Sequence, residues 1–146
     1  MTEKITRILV VDGSTVSRQI LSRIIREEMS TIEVDSCKSG ADAFKKMNEN
    51  EYDLITTALL LPDMDGLKLC QTIRNSNTSS HQYTPVIVVS GDADERLLQE
   101  GFKAGVTDYF DKSNGYKAFG SFIKSFLQRN ASLVGHENSS MLTDRI

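Results

Sequence analysis

The chain lacks the long apolar runs and the strong charge bias that mark several large classes of protein. No apolar stretch approaches the ~20 residues that a membrane-spanning helix requires, and no apolar secretory segment precedes the first strand pattern. The formal net charge of -3 gives no sign of a broad basic surface for nucleic acid. We therefore expect a cytoplasmic protein that neither enters a membrane nor binds nucleic acid directly.

Residues suited to metal, thiol or cofactor chemistry are scarce and scattered. Cys37 and Cys70 lie far apart, outside any metal-type spacing, and are expected to be packing thiols. His81 and His136 fall in separate polar segments, where we expect surface residues. A lone glycine, Gly13, follows the first strand pattern, which disfavours a flavin or nucleotide site built on a glycine-rich loop.

The length and composition suit one domain with a proper core. The chain has 146 residues, of which 39% are hydrophobic and 25% charged. Short apolar runs rich in β-branched residues are typical of strands buried on both faces of a parallel sheet. They predict strands at residues 8–11, 32–37, 54–58, 85–90 and 108–110.

Helical spacing of apolar residues fills each interval between these strands. Ser14 or Thr15 can cap the first helix, Ser39 the second, and Gly105 occupies a position that ends the fourth. The predicted helices cover about residues 15–29, 39–47, 67–73 and 93–104, and a last helix ends near Arg129.

Five alternations of strand and helix predict an α/β fold. Short links imply right-handed crossovers between parallel strands. We expect a three-layer α/β/α doubly wound five-stranded parallel sheet of flavodoxin-like order 2-1-3-4-5. The polar strand ends should gather at one edge of the sheet, where such folds bind ligands. Those ends are Asp12, Ala58, Ser90 and Lys112.

Residues 1–129 are expected to form the domain, and residues 130–146 lose helical periodicity. Gly135 begins a stretch with linker-like composition. Asp144, Arg145 and Ile146 echo Arg7 at the start of the first strand. Two interpretations stay open: the last stretch begins a following domain, or it is a frayed carboxyl terminus.

Several spaced motifs resemble the receiver domain of bacterial response regulators, the CheY-like family. The resemblance covers about residues 6–129 and rests on residues 10–14 with Arg18, 61–66, 85–91 and 104–112. It implies the doubly wound fold and a regulatory role in two-component phosphorelay signalling.

The resemblance also implies a phosphorylation pocket, of which this sequence has lost essential parts. Asp12 matches the first of two acidic residues that help to bind Mg²⁺, and Gly13 replaces the second. Ala58 stands at the position of the aspartate that accepts the phosphoryl group. A methyl group is no nucleophile, and one carboxylate should bind Mg²⁺ weakly or not at all.

Other parts of the family pocket are kept. Ser90 matches a hydroxyl and Lys112 a lysine that contact the phosphoryl group, and Tyr109 matches the switch aromatic. Ser90 and Lys112 either form a retained anion site or merely cap strand ends. Ser113 replaces the family proline, so we expect a trans peptide and a reshaped turn. With the carboxylate cluster gone, we predict a contact between Lys112 and Asp12.

Alternative phosphate acceptors have simpler interpretations. Asp63 and Asp65 lie in a loop where aspartate is ordinary turn chemistry. Thr56 and Thr57 are substrates for a separate kinase in one interpretation and ordinary strand residues in the other.

The favoured interpretation is a non-phosphorylatable pseudo-receiver rather than an enzyme. It would interact or dimerise through the face of the fourth helix, fifth strand and fifth helix, ahead of a covalently linked output domain. Residues 90–94 and 108–113 resemble receivers placed before diguanylate cyclase (GGDEF) domains. The alternative is a phosphorylatable receiver whose acceptor was engineered to Ala58 or replaced elsewhere, and Gly13 argues against engineering.

Overall fold

The computed structural model describes residues 6–76, 80–91 and 94–143, with residues 131–143 described by their backbone only. Within these residues the strands are β1 (Arg7–Val11), β2 (Glu33–Cys37), β3 (Leu54–Ala58), β4 (Val86–Ser90) and β5 (Asp108–Asp111). The helices are α1 (Thr15–Glu28), α2 (Gly40–Glu49), α3 (Gly66–Asn75), α4 (Glu95–Ala104) and α5 (Tyr116–Thr143).

The sheet has the predicted order β2-β1-β3-β4-β5, and every neighbouring pair is parallel. The predicted doubly wound architecture is therefore confirmed. Among the described residues, no helix is both long enough and apolar enough to cross a bilayer.

Alternating strand residues divide the core into two halves, because successive side chains point to opposite faces of a sheet. Leu9 and Ile55 pack in the half that contains residues of α2 and α3. Ile8 and Leu54 pack in the other half, with residues of α1 and α5. Phe119 of α5 is completely buried there.

Local side chains set the helix ends largely as the sequence predicts. The oxygens of Ser14, Ser39, Asp65 and Asp94 each accept a hydrogen bond from a backbone N–H in the first turn of a helix. Gly105 ends α4 with φ 99°, the left-handed conformation that favours glycine. The cap assignments of the first two helices and the end of the fourth are confirmed.

The end predicted for the last helix is wrong. Helix α5 continues beyond Arg129 to Thr143. Apolar periodicity reports which face of a helix is buried, and its loss does not by itself end the helix. The continuation contains no proline, and a single internal glycine such as Gly135 costs a helix only ~1 kcal/mol. Residues 144–146, and Ala93 at the predicted start of the fourth helix, lie outside the described residues.

The prediction that His81 is a surface residue is also wrong. Its side chain is 1% exposed, and its Nε2 accepts the backbone N–H of Tyr52 at 2.9 Å. His81 packs against Tyr52 in the turn before β3, and loop composition carries no signal for that packing. The side chain of His136 lies outside the described residues.

The two cysteines are buried, as predicted for packing thiols. Neither forms a disulfide. Burial raises the pKa of the Cys37 thiol to about 11 and also raises the pKa of Cys70. Both thiols are therefore protonated near neutral pH and poor nucleophiles.

Candidate functional site

The carboxyl ends of the strands form a cavity at the edge of the sheet where the sequence places the site. It has a volume of about 430 Å³. Its lining includes the residues predicted to meet there, Asp12, Gly13, Ala58, Ser90 and Lys112. Parallel strands bring their carboxyl ends to one edge, so residues far apart in sequence converge at one place.

Asp12 is the anionic group of this cavity and is held in a fixed position. Its Oδ1 accepts the backbone N–H of Ser14 at 2.8 Å. Its Oδ2 lies 3.8 Å from Nζ of Lys112. The Asp12 side chain is 6% exposed and that of Lys112 is 31% exposed. The predicted contact between Lys112 and Asp12 is confirmed, and the two charges compensate each other.

Gly13 and Ala58 bring no side-chain oxygen to the cavity. A Cβ atom on Gly13 would lie 3.2 Å from Cδ of Pro62, so an acidic side chain would press on this loop. Ala58 ends β3 and pairs in register with Val89. Asp12 is the acidic residue among those lining the cavity. Across the described part of the chain, no group of three or more His, Cys, Asp or Glu could hold a metal.

The turn after β5 is a 3-10 helix, Lys112–Asn114. Oδ1 of Asp111 accepts the backbone N–H of Ser113 at 2.9 Å, and this hydrogen bond lowers the pKa of the Asp111 carboxyl. The peptide bonds of the described residues are trans, which confirms the prediction for the bond between Lys112 and Ser113. The turn that positions Lys112 is thus closed by an aspartate.

Tyr109 points away from the cavity and packs against α4. Its hydroxyl donates to the backbone oxygen of Leu97 at 2.9 Å, and its ring meets Phe102 edge-on at 5.7 Å. A Cβ on Gly101 would overlap the Tyr109 hydroxyl and lie 2.7 Å from its Cζ. Gly101 is not among the predicted site residues, although a glycine inside a helix pattern is a signal for close packing.

Asp63 has a structural role that the sequence analysis did not identify. Its two carboxylate oxygens accept the backbone N–H groups of Gly40 and Ala41, each at 2.9 Å. These bonds at the amino end of α2 lower the pKa of Asp63. Asp65 is the N-cap of α3, where its Oδ1 accepts the backbone N–H of Lys68 at 2.7 Å. Both loop carboxylates therefore hold helix ends, and since Asp63 lies 23 residues from Gly40, no local pattern could have identified its partner.

Thr56 and Thr57 lie inside the sheet. Each is 1% exposed, and Oγ1 of Thr57 donates to the backbone oxygen of Ala58 at 2.9 Å. A separate kinase could not reach either hydroxyl without opening β3.

Comparison with known sequences agrees with this geometry. The chain matches the family model of the response regulator receiver domain over residues 8–122. It is 31% identical over 141 residues to the transcriptional regulatory protein ResD of Bacillus subtilis, covering 97% of this chain and 55% of ResD. It is 28% identical over 139 residues to the transcriptional regulatory protein SrrA of Staphylococcus aureus, covering 95% of this chain and 55% of SrrA. The chain thus spans about half the length of these relatives.

Solved structures share the fold. A two-component response regulator from Clostridium difficile superimposes with a TM-score of 0.74 at 27% identity, covering 85% of this chain and 97% of that one. The chemotaxis response regulator CheY4 of Vibrio cholerae gives a TM-score of 0.74 at 21% identity, with 84% and 98% covered. From the matched residues 8–122 and the five-stranded sheet of this order, the chain belongs to the family of response regulator receiver domains.

Proposed function

We propose that this receiver domain is a pseudo-receiver, a regulatory module that takes no phosphoryl group on an aspartate. One observation carries the proposal. Ala58 ends β3 beside the cavity, where the family resemblance places the acceptor carboxylate. A methyl group offers no lone pair to attack phosphorus. The other loop and strand candidates are occupied as helix caps or buried in the sheet.

The charges of the cavity support the same proposal. Mg²⁺ prefers several oxygen ligands in near-octahedral geometry. Asp12 offers one carboxylate, of which Oδ1 accepts a backbone N–H and Oδ2 faces the Lys112 ammonium. A metal would have to compete with both partners, so this donor set does not fit Mg²⁺, and we propose that binding is weak or absent.

Incubation with a small phosphodonor and Mg²⁺, followed by intact mass spectrometry, tests the proposal. The expected result is an unchanged mass. A stoichiometric adduct that survives acid and is lost in base would overturn it, and peptide mapping would then identify the true acceptor.

A restored variant is the positive control. Ala58→Asp together with Gly13→Asp supplies the two missing carboxylates, so this variant should take one phosphoryl group in the presence of Mg²⁺. The Ala58→Asn variant is the matched negative control, because its amide has a similar size and does not accept the phosphoryl group.

The packing of Tyr109 suggests how the module keeps one signalling state. The hydrogen bond to Leu97 and the space left by Gly101 hold the ring against α4. We propose that this packing replaces phosphorylation in fixing the face formed by α4, β5 and α5.

We propose that a second copy of the chain docks on this face. Phe102 is 54% exposed on α4. On the other side of β5, a groove of about 990 Å³ is lined by Phe110 and Phe122, with Lys117 and Asp108 beside them. Apolar contacts with opposite charges nearby suit a self-complementary interface.

Sedimentation equilibrium of the whole chain tests this surface. The wild type is expected to dimerise, and Phe102→Ser with Lys117→Glu should shift it toward monomer. Exposed changes on α1, such as Val16→Ser, should have no effect. A wild-type monomer at all concentrations would refute the dimer and leave a different protein as the partner.

We further propose that the domain acts in the cytoplasm within a longer protein. The motifs at residues 90–94 and 108–113 favour a diguanylate cyclase output. ResD and SrrA are transcriptional regulatory proteins about twice as long as the matched region, and they support a transcriptional output instead. The sequence that follows Ile146 in the gene distinguishes the two outputs.

A further inference from the structure

A buried histidine lies at the end of the sheet opposite the cavity, in a place that the proposed function does not use. His81 is 1% exposed. Its Nε2 accepts the backbone N–H of Tyr52 at 2.9 Å, and the two rings lie 5.8 Å apart. An imidazole nitrogen that accepts a hydrogen bond carries no proton, so the bonded ring is the neutral form.

His81 lies in residues 80–85, the described residues that lead into β4, which are called the α3–β4 connection below. Its backbone oxygen accepts the N–H of Thr84 at 3.0 Å. Arg74 of α3 holds the same connection by donating to the backbone oxygens of Gln82 and Thr84 at 3.1 and 2.7 Å. The His81 ring therefore links this connection to the turn between α2 and β3.

We propose that His81 is an acid-sensitive clamp, which holds the α3–β4 connection against the α2–β3 turn when neutral and releases it when protonated. Protonation puts a hydrogen on Nε2, which then cannot accept the Tyr52 N–H. It also places a charge in a site that excludes water. Release leaves the remote cavity around Asp12 intact.

The charged groups around His81 set the direction of the effect. Burial lowers the pKa of His81 below 6.5, and Glu51 opposes this by a smaller amount. Asp53 is engaged by the backbone N–H of Arg7 at 2.9 Å. Asp35 accepts the Tyr52 hydroxyl at 2.7 Å and lies 3.9 Å from Arg7. Arg74 donates its hydrogen bonds to the backbone oxygens of Gln82 and Thr84.

Because the folded pKa lies below that of a free histidine, the open state binds the proton more readily than the closed one. The clamp is therefore at full strength above pH 6.5 and weakens as the pH falls below that value. Opening becomes more favourable by at most about tenfold between about pH 7.5 and about pH 5.5, the limit in which the closed ring takes up no proton.

Amide hydrogen exchange of the whole chain, followed by NMR, tests the clamp. We expect the protection factor of the Tyr52 amide to fall between those two pH values, by up to about tenfold. The chain has two histidines, so His136→Gln leaves His81 as the single imidazole and should preserve the effect. His81→Gln should abolish it, because the amide oxygen accepts the same N–H and does not titrate.

A constant protection factor in the wild type, or the same fall in His81→Gln, would overturn the proposal. If His81→Gln does not fold, the ring resonance of His81 in His136→Gln decides. We expect it to titrate below pH 6.5 together with the Tyr52 amide signal. Titration at or above that value, or without a change at Tyr52, would equally overturn it.

Discussion

Replacing Gly101 with alanine should destabilise the domain although it improves the helix. Alanine in a helix interior is favoured over glycine by ~1 kcal/mol. The new Cβ would overlap the Tyr109 hydroxyl, so the ring must leave α4. The hydrogen bond to Leu97 is then lost, at ~0.5–1.5 kcal/mol. Loss of the half-buried ring's packing adds ~1–2 kcal/mol, and the net expectation is a destabilisation of ~1–2 kcal/mol.

The sign of the effect should reverse once the tyrosine side chain is absent. In a Tyr109→Ala background, the nearest remaining neighbour given for the new Cβ of Gly101→Ala is the flexible end of Leu67, at 3.2 Å. It should then stabilise the domain by ~0.5–1 kcal/mol. Urea unfolding of the wild type, the two single variants and the double variant gives a coupling free energy, expected near ~2 kcal/mol.

An additive cycle would refute this account of the α4 surface. Equal effects of Gly101→Ala with and without the Tyr109 ring would mean that the ring is not held over Gly101. The proposal that packing fixes the signalling face would then lose its structural basis.

Three further predictions concern the hydrogen bonds of Arg74, the core packing of Phe119 and the reactivity of the Cys37 thiol. Arg74→Lys should lose ~1–3 kcal/mol of stability, because lysine cannot reach the carbonyls of the connection and Gly105 together. Arg23 forms an exposed ion pair with Glu27 and is the matched control, so Arg23→Lys should change the free energy of unfolding by less than ~0.5 kcal/mol. Equal losses for the two variants in urea unfolding would contradict the role assigned to Arg74. Phe119→Ala should cost ~3–5 kcal/mol, and a loss under ~1 kcal/mol would exclude its core role. Iodoacetamide should modify native Cys37 at least about tenfold more slowly than an unperturbed thiol, since burial raises its pKa to about 11 and lowers the thiolate fraction; equal rates by mass spectrometry would refute this.

The strand positions and several helix ends could be predicted because their causes are local. The apolar run of β4 is buried along its whole length. In a domain of this size, so many consecutive apolar residues are shielded from water only inside the core. Gly105 ends α4 through its own backbone freedom. The contact between Asp12 and Lys112 could be predicted because parallel strands share one carboxyl edge and the other carboxylates of the family pocket are absent.

The wrong predictions follow the average tendency of a residue type or pattern, which the tertiary structure overrides. Polar loops are usually exposed, yet His81 is buried because its ring finds the Tyr52 N–H 29 residues away. The predicted end of the last helix is too early. Its apolar stripe stops near Arg129, but the backbone hydrogen bonds of a helix do not depend on such a stripe. Neither the partner of His81 nor the length of α5 has a local signature.

The sequence by itself determined the fold class, the family and the loss of the acceptor carboxylate at Ala58, because each depends on residue type and spacing. Only the tertiary structure decided how the remaining groups are used. Asp63 holds the amino end of α2, and Tyr109 fills the space above Gly101. These are contacts between residues distant in the chain, and their free energies depend on distances and burial that exist only after the sheet has formed.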